Sequence, residues 1–250
     1  MEVKKREILF SVIIVLVMLM LGLLIGSKIS ESIVQEAERY ATATVIEDEN
    51  QFRYGMDTNF GRALVYGGLT TDSPVTYDEI GNGYIYIEKV KEHYTMHTRT
   101  VTRTDANGKT HTETEVYYTW DRVWSDSRKA ETVMFCGSDF ASDIFELPVY
   151  RLDLSNAGVK NRMNYIYQGF DDRFYYNVTY NDITGTVLAD LKDGTMVCES
   201  YLYENTRPTE VIESKQGNET TALIIFWIFW VLLSGGCVYG FIYLDNRWLD

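Results

Sequence analysis

Apolar and polar positions follow two rhythms along this chain. Ile8 to Gly26 and Ala222 to Leu244 are unbroken runs of 19 and 23 residues without a charge. As helices they measure about 28 and 34 Å, enough to cross the hydrocarbon core of a bilayer. Between them the period drops to two, the mark of half-buried strands. The longest such stretch, Tyr84 to Trp124, predicts a single long β-hairpin, because β-branched and aromatic residues fill both arms and Asp105, Ala106, Asn107 and Gly108 interrupt them. A three-residue loop, Ala106-Asn107-Gly108 with Gly108 left-handed, sets Asp105 opposite Lys109. The cross-strand pairs are then Val90 with Trp124, Tyr94 with Trp120, Met96 with Tyr118 and Thr98 with Val116 on one packing face. Arg99 falls opposite Glu115, and His93 opposite Asp121. A two-residue loop would pair Tyr94 with Asp121 and Met96 with Thr119 and scatter the aromatic face, so the longer loop is preferred.

The rest of the chain divides around these features. Ser27 to Tyr40 continues the first apolar run as a helical stalk, with Ile25, Ile29, Ile33 and the stem of Glu36 on one face. That stripe would either dimerise or, the blander reading, pack on its own domain. Thr42 to Ile46 reads as a strand and the following Glu47-Asp48-Glu49-Asn50 as a turn. Leu64 to Tyr66 opens another strand, with Gly67-Gly68 as a sharp exit. After the hairpin come a break and a short strand within residues 125–140, and a turn region at Asn156-Ala157-Gly158. Residues 171–205 offer three strands, with turns at Asn181-Asp182 and Lys192-Asp193-Gly194. Residues 206–221 are polar and read as a linker.

Charge and residue usage sharpen this into a topology. Residues 27–221 hold 32 Asp and Glu against 19 Lys and Arg, so their surface repels phosphate backbones and nucleic acid is excluded as a partner. Lys4, Lys5 and Arg6 precede the first run and place that end in the cytoplasm by the positive-inside tendency. A cleaved signal peptide is the alternative, but small residues are missing from the two positions that cleavage requires. In the second run Trp227, Trp230, Tyr239 and Tyr243 read as interfacial anchors. The expected architecture is a membrane protein of α+β class, two transmembrane helices bracketing one β-rich extracytoplasmic domain with a long central hairpin. Its parts are a cytoplasmic N-terminus (1–7), transmembrane helices (8–26 and 222–244), the helical stalk (27–41), the β-rich domain (42–205), the linker (206–221) and a cytoplasmic tail (245–250). Residues 27–221 then lie outside the cell or in an organelle lumen.

Candidate chemistry is sparse. His93 and His97, with Glu92 beside them, have the spacing of two zinc ligands on a helix, but four residues apart on a strand is about 13 Å, too far to share a metal. Gly137-Ser138-Asp139 lacks the flanks of a nucleophile elbow. A Cys136 nucleophile activated by a hairpin histidine is the alternative to a core thiol. Cys136 and Cys198 share the oxidising side, and a disulfide and two separate buried thiols are equally open; Cys237 falls within the second span. The acidic groups Asp171-Asp172 and Glu47-Asp48-Glu49 lack the alternation of a calcium loop and read as solvated turns. Asn177-Val178-Thr179 and Asn218-Glu219-Thr220 match the glycosylation sequon by chance, one in a strand and the other at the membrane. No residue set is assigned to catalysis, a cofactor or a metal, and no cofactor is expected.

The order of motifs supplies a further expectation. Gly67 to Leu69, Val90 to Tyr94, Gly108-Lys109 and Tyr117 to Ser125, followed by VTYNDITGTVLADLKDGTMV, resemble the luminal domain of the LUMA (transmembrane protein 43) family over residues 36–200. A fainter likeness is to the GIDE domain of organelle-membrane ubiquitin ligases, although no RING follows. The chain departs from LUMA-like proteins after Thr221, with one closing span where they have several. The resemblance implies a non-catalytic, membrane-anchored scaffold that self-associates or holds a membrane protein partner, with no catalytic residues to transfer. The competing expectation is a ligand sensor or hydrolytic enzyme that uses the central hairpin.

Overall fold

The computed structural model describes residues 5–105 and 108–248, so Lys4 and the loop residues Ala106 and Asn107 lie outside the described residues. In chain order the elements are helix α1 (Lys5–Ala41), strand β1 (Thr44–Ile46), helix α2 (Glu49–Asp57), β2 (Gly61–Thr70), β3 (Tyr84–Thr104), β4 (Thr110–Lys129), β5 (Thr132–Phe135) and β6 (Ser138–Ala141). They continue with β7 (Tyr150–Arg151), β8 (Ile166–Gln168), β9 (Asp172–Tyr180), β10 (Ile183–Lys192), β11 (Thr195–Cys198), β12 (Tyr203–Glu204), α3 (Pro208–Gln216) and α4 (Asn218–Trp248). The class is α+β, in two compact units: residues 1–44 with 206–250, and residues 45–205.

The first unit is helical. Both α1 and α4 are long and apolar enough to cross a membrane. They run antiparallel from Arg6, ion-paired to Asp245 at 2.8 Å, through the Phe10–Phe241 ring contact, to Ser30, which donates to Glu219 at 2.6 Å. Gly22 and Gly26 make the close approach possible. A Cβ on Gly22 would stand 2.4 Å from the Trp230 ring nitrogen, and one on Gly26 would press on Phe226. Trp230 uses the space to donate to the Met18 carbonyl at 2.8 Å. Trp227 and Trp230, expected as interfacial anchors, pack into the groove left by two glycines four residues apart, a spacing known to bring apolar helices together. The stalk is helical, as its periodicity indicates. Residues 208–216, expected to be part of a polar linker, form α3, started by Pro208 in its first turn and by Glu210, whose carboxylate accepts from the Arg207 backbone N–H at 3.1 Å.

The second unit is built from two sheets. One follows the order β11-β10-β2-β5-β6, with β1 beside β2 and β12 beside β10. Its inner face supplies a core that includes Ile46, Phe52, Val65, Leu69, Phe135, Val187 and Leu191. Gly67 and Gly68 do not end the second strand, as the sequence suggests; β2 runs through them. Gly67 lies opposite Gly185, and its missing Cβ leaves room for Cys136, whose own Cβ would be 3.0 Å away. The acidic stretch after β1 is likewise not a turn. Asp48 accepts from the backbone N–H groups of Asn50 and Gln51 and starts α2, which buries Phe52 and Met56. Asp193-Gly194 forms the expected tight turn between β10 and β11, both residues at positive φ.

The other sheet follows β4-β3-β9-β7, with β8 beside β9. Its register matches the expected one from His93–Asp121 to Thr104–Thr110, and Asp105 exchanges backbone bonds with Lys109 and Gly108. Gly108 is left-handed, at φ +79°. Nearer the body of the sheet one expectation fails. Lys91 pairs with Trp124 and Glu92 with Arg122, so Val123 is an extra residue in a β-bulge and Val90 faces Ser125, not Trp124. The bulge sets small Ser125 against fully buried Val90 and turns Trp124 to the opposite face, beside Lys91. The face of Tyr94, Met96, Tyr118 and Trp120 is thus kept without Trp124, but the expectation that it packs is corrected: Tyr94, Met96 and Tyr118 are exposed, because among the described residues no other element lies over that end of the hairpin.

Candidate functional site

Strand β9 pairs with β3 only as far as His93. From Thr95 to Thr104, and from Thr110 to Thr119 in return, the hairpin continues as a two-stranded ribbon about 33 Å long. Among the described residues no strand covers either of its edges, and β4 is unpaired along its whole outer side. Ion pairs lace the ribbon: Arg99 and Arg103 both reach Glu115. His97 Nε2 lies 2.5 Å from Asp121, and His93 Nδ1 lies 2.8 Å from Asp172, which also takes Lys91. The two histidines expected not to share a metal thus answer to different carboxylates. His111, opposite Arg103, turns its ring to Asp105.

One face of this sheet carries an alternating stack of rings and guanidinium groups. Arg151 lies 3.3 Å from the centre of Tyr175 and 4.7 Å from that of Tyr165. Arg173 follows, 3.8 Å from Tyr165 and 4.2 Å from Trp120, with its Nε 2.6 Å from Glu92. Beyond Trp120 come Tyr94 and then Tyr118, stacked at 5.2 Å. Cation–π contacts between partly desolvated groups contribute about 1 kcal/mol each, so the stack is a rigid wall.

The segment that supplies Tyr165 and Tyr167 to this wall also builds a cleft. Arg162 and Tyr165 exchange backbone hydrogen bonds of 2.9 and 3.1 Å around a two-residue turn of Met163 and Asn164, both at positive φ. Asparagine tolerates that conformation. Methionine in it costs roughly 1–2 kcal/mol, which the surroundings must offset. They do so through side chains: Asn164 accepts from the Leu154 N–H, and Asn161 donates to the carbonyls of Leu154 and Val159. Strand β8 then locks the return onto β9, and the Tyr167 ring abuts Trp120. Lys160, Asn161, Arg162, Tyr167, Gly169 and Phe170 line an opening of about 480 Å³. Phe170 is 97% and Met163 81% exposed, extreme values for side chains of this size.

The groups that the sequence offers for catalysis are dispersed. Cys136 sits in the turn between β5 and β6, and burial with Glu49 and Asp48 nearby pushes its thiol up to about 11. Cys198 is pushed up to about 12 by burial, and both are free thiols, the second of the two alternatives left open by their positions. No histidine shares the core cluster in which Cys136 is buried. Asn177, the residue of the first sequon, is paired within β9 and donates to Glu88. Among the described residues no group of three His, Cys, Asp or Glu is placed to hold a metal ion. What sequence reasoning missed is the cleft. The signal was there: residues 154–170 contain no carboxylate, the longest such run in residues 42–205, and two cations. No protein-family profile, no curated protein and no solved structure matches this chain.

Proposed function

We propose that this chain is a membrane-anchored, non-catalytic interaction protein whose β-rich domain, held outside the cytoplasm by α1 and α4, associates with other proteins through the long hairpin. The observation that carries the reading is the ribbon itself. A two-stranded hairpin is marginal in water, and its unpaired edges are templates for another strand. Here twenty ribbon residues stand beyond the sheet with exposed Tyr94, Met96, Val116 and Tyr118 on one face. A surface so costly to leave bare is one that a partner covers, and a second copy of the chain is the simplest partner. The LUMA-like order of motifs points the same way, to a self-associating scaffold.

Thr119→Cys, near the base of the ribbon on its uncovered edge, tests this in membranes under mild oxidation. A disulfide-linked dimer, or a defined heteromeric adduct with a short thiol crosslinker, is the expected result. A strictly monomeric product under both conditions, with the detergent-extracted chain also monomeric, overturns the reading.

A further inference from the structure

Residues 45–205 carry 26 carboxylates and 15 Lys or Arg. In such a field nearly every cation is taken. Arg62, Lys89, Lys91, Arg99, Arg103, Arg122, Lys129, Arg173 and Lys192 are ion-paired, Arg53 and Arg128 donate to carbonyls, and Arg151 lies between two rings. Among the described residues of this unit only Lys109, at the hairpin tip, and Lys160 and Arg162 have no such partner. Two of these three line the same cleft, together with Tyr167 and Phe170.

We infer that this cleft is a binding site for an acidic peptide segment of a partner protein, one that carries an aromatic or large aliphatic residue between carboxylates. Charge selects the occupant. An acidic surface repels an acidic chain everywhere except where uncompensated cations stand, so the unpaired pair both attracts the segment and fixes where it docks. Lys160 and Arg162 take the carboxylates, Arg162 by its planar two-donor edge. The apolar residue between them lies on the face of Tyr167 and covers Phe170, which removes the most exposed ring of the unit from water. The backbone is preorganised: the Asn161 and Asn164 hydrogen bonds and the strained Met163-Asn164 turn fix the segment from which both cations project. The site is separate from the ribbon edge and its test reads a different quantity.

The full chain in nanodiscs is titrated with a fluorescein-labelled Asp-Glu-Phe-Asp-Glu peptide and with its Lys-Lys-Phe-Lys-Lys counterpart, and anisotropy is read. The acidic peptide is expected to bind, more weakly as salt is raised, and the basic one not to bind through the cleft. Lys160→Ala with Arg162→Ala should weaken binding about tenfold or more, and Phe170→Ala several-fold, with far-UV circular dichroism unchanged. The charge-reversed pair Lys160→Glu with Arg162→Glu should transfer binding to the basic peptide, which no folding defect can imitate. No binding of the acidic peptide overturns the inference, as does binding that none of these substitutions alters. So does phosphatidylglycerol vesicle binding that depends on Lys160 and Arg162 while the peptide is ignored, or a loss of self-association in the double variant without peptide binding.

Discussion

Glu92 and Glu115 both lie on the hairpin and both face arginine, yet their surroundings assign them different weights. Glu92 and Arg173 keep only 14% and 15% of their side-chain surfaces exposed, and Arg173 is also held between Tyr165 and Trp120. Glu92→Gln leaves a cation in a poorly hydrated slot and is expected to cost about 2–3 kcal/mol. Glu115 serves Arg99 and Arg103, which are 65% and 64% exposed and screened by water, so Glu115→Gln should cost markedly less than Glu92→Gln. Urea denaturation of the two variants side by side checks the ordering; equal losses would contradict it. Asp172 adds a pH dependence. Its hydrogen bond from His93, and then that from Lys91, hold its carboxyl below the usual range. A depressed folded value means that the contribution is complete above the unfolded carboxylate value of about 4 and disappears as pH falls through the lower folded value. Stability followed from pH 5 to 2 should therefore fall less steeply in Asp172→Asn than in the parent.

At the scale of elements, the bulge at Val123 decides what the hairpin exposes. Regular pairing resumes on both sides of it, Glu92 with Arg122 and Lys91 with Trp124, so deletion of Val123 would join two intact registers. The expected product folds but has a straighter, flatter outer edge on β4, and should aggregate more readily in sedimentation velocity runs. The distal register was legible from the chain because Gly108 determines its loop and the ring pairs agree with it. The bulge was not, because Tyr118, Trp120, Arg122 and Trp124 keep perfect alternation and nothing local marks the extra residue; buried Val90 decides it from the neighbouring strand. Gly67-Gly68 misled for a related reason. Glycine signals a turn when read locally, whereas here it permits close approach to the Cys136 turn, a contact far away along the chain. The cleft was hidden because its signal is an absence of carboxylates, and a charge pattern becomes a site only when the fold brings Phe170 and Tyr167 beside Lys160 and Arg162.

At the scale of the whole molecule, the proposed topology makes a claim about which side of a membrane each part occupies. In that proposal α1 and α4 both span, so the two ends share a compartment and residues 27–221 occupy the other. The proposed orientation rests on the positive residues before α1, which by the positive-inside tendency favour the cytoplasm for the ends. Arg6 and Asp245 pair at one end of the antiparallel helix pair, which sets the start of α1 beside the end of α4. Trypsin turns this into a measurement, because Lys109, Lys160 and Arg162 are the cations of the β-rich unit without a partner among the described residues, whereas Arg173, Lys89 and Arg122 are held in ion pairs. Added to spheroplasts of an expressing bacterium, trypsin should cut first near the hairpin tip and the 160–162 segment. An epitope tag fused ahead of Met1 should survive until the membrane is opened. Protection of the β-rich unit in intact spheroplasts together with loss of the tag would reverse the orientation. The hairpin and the cleft would then both face the cytoplasm, and their partners would have to be sought there.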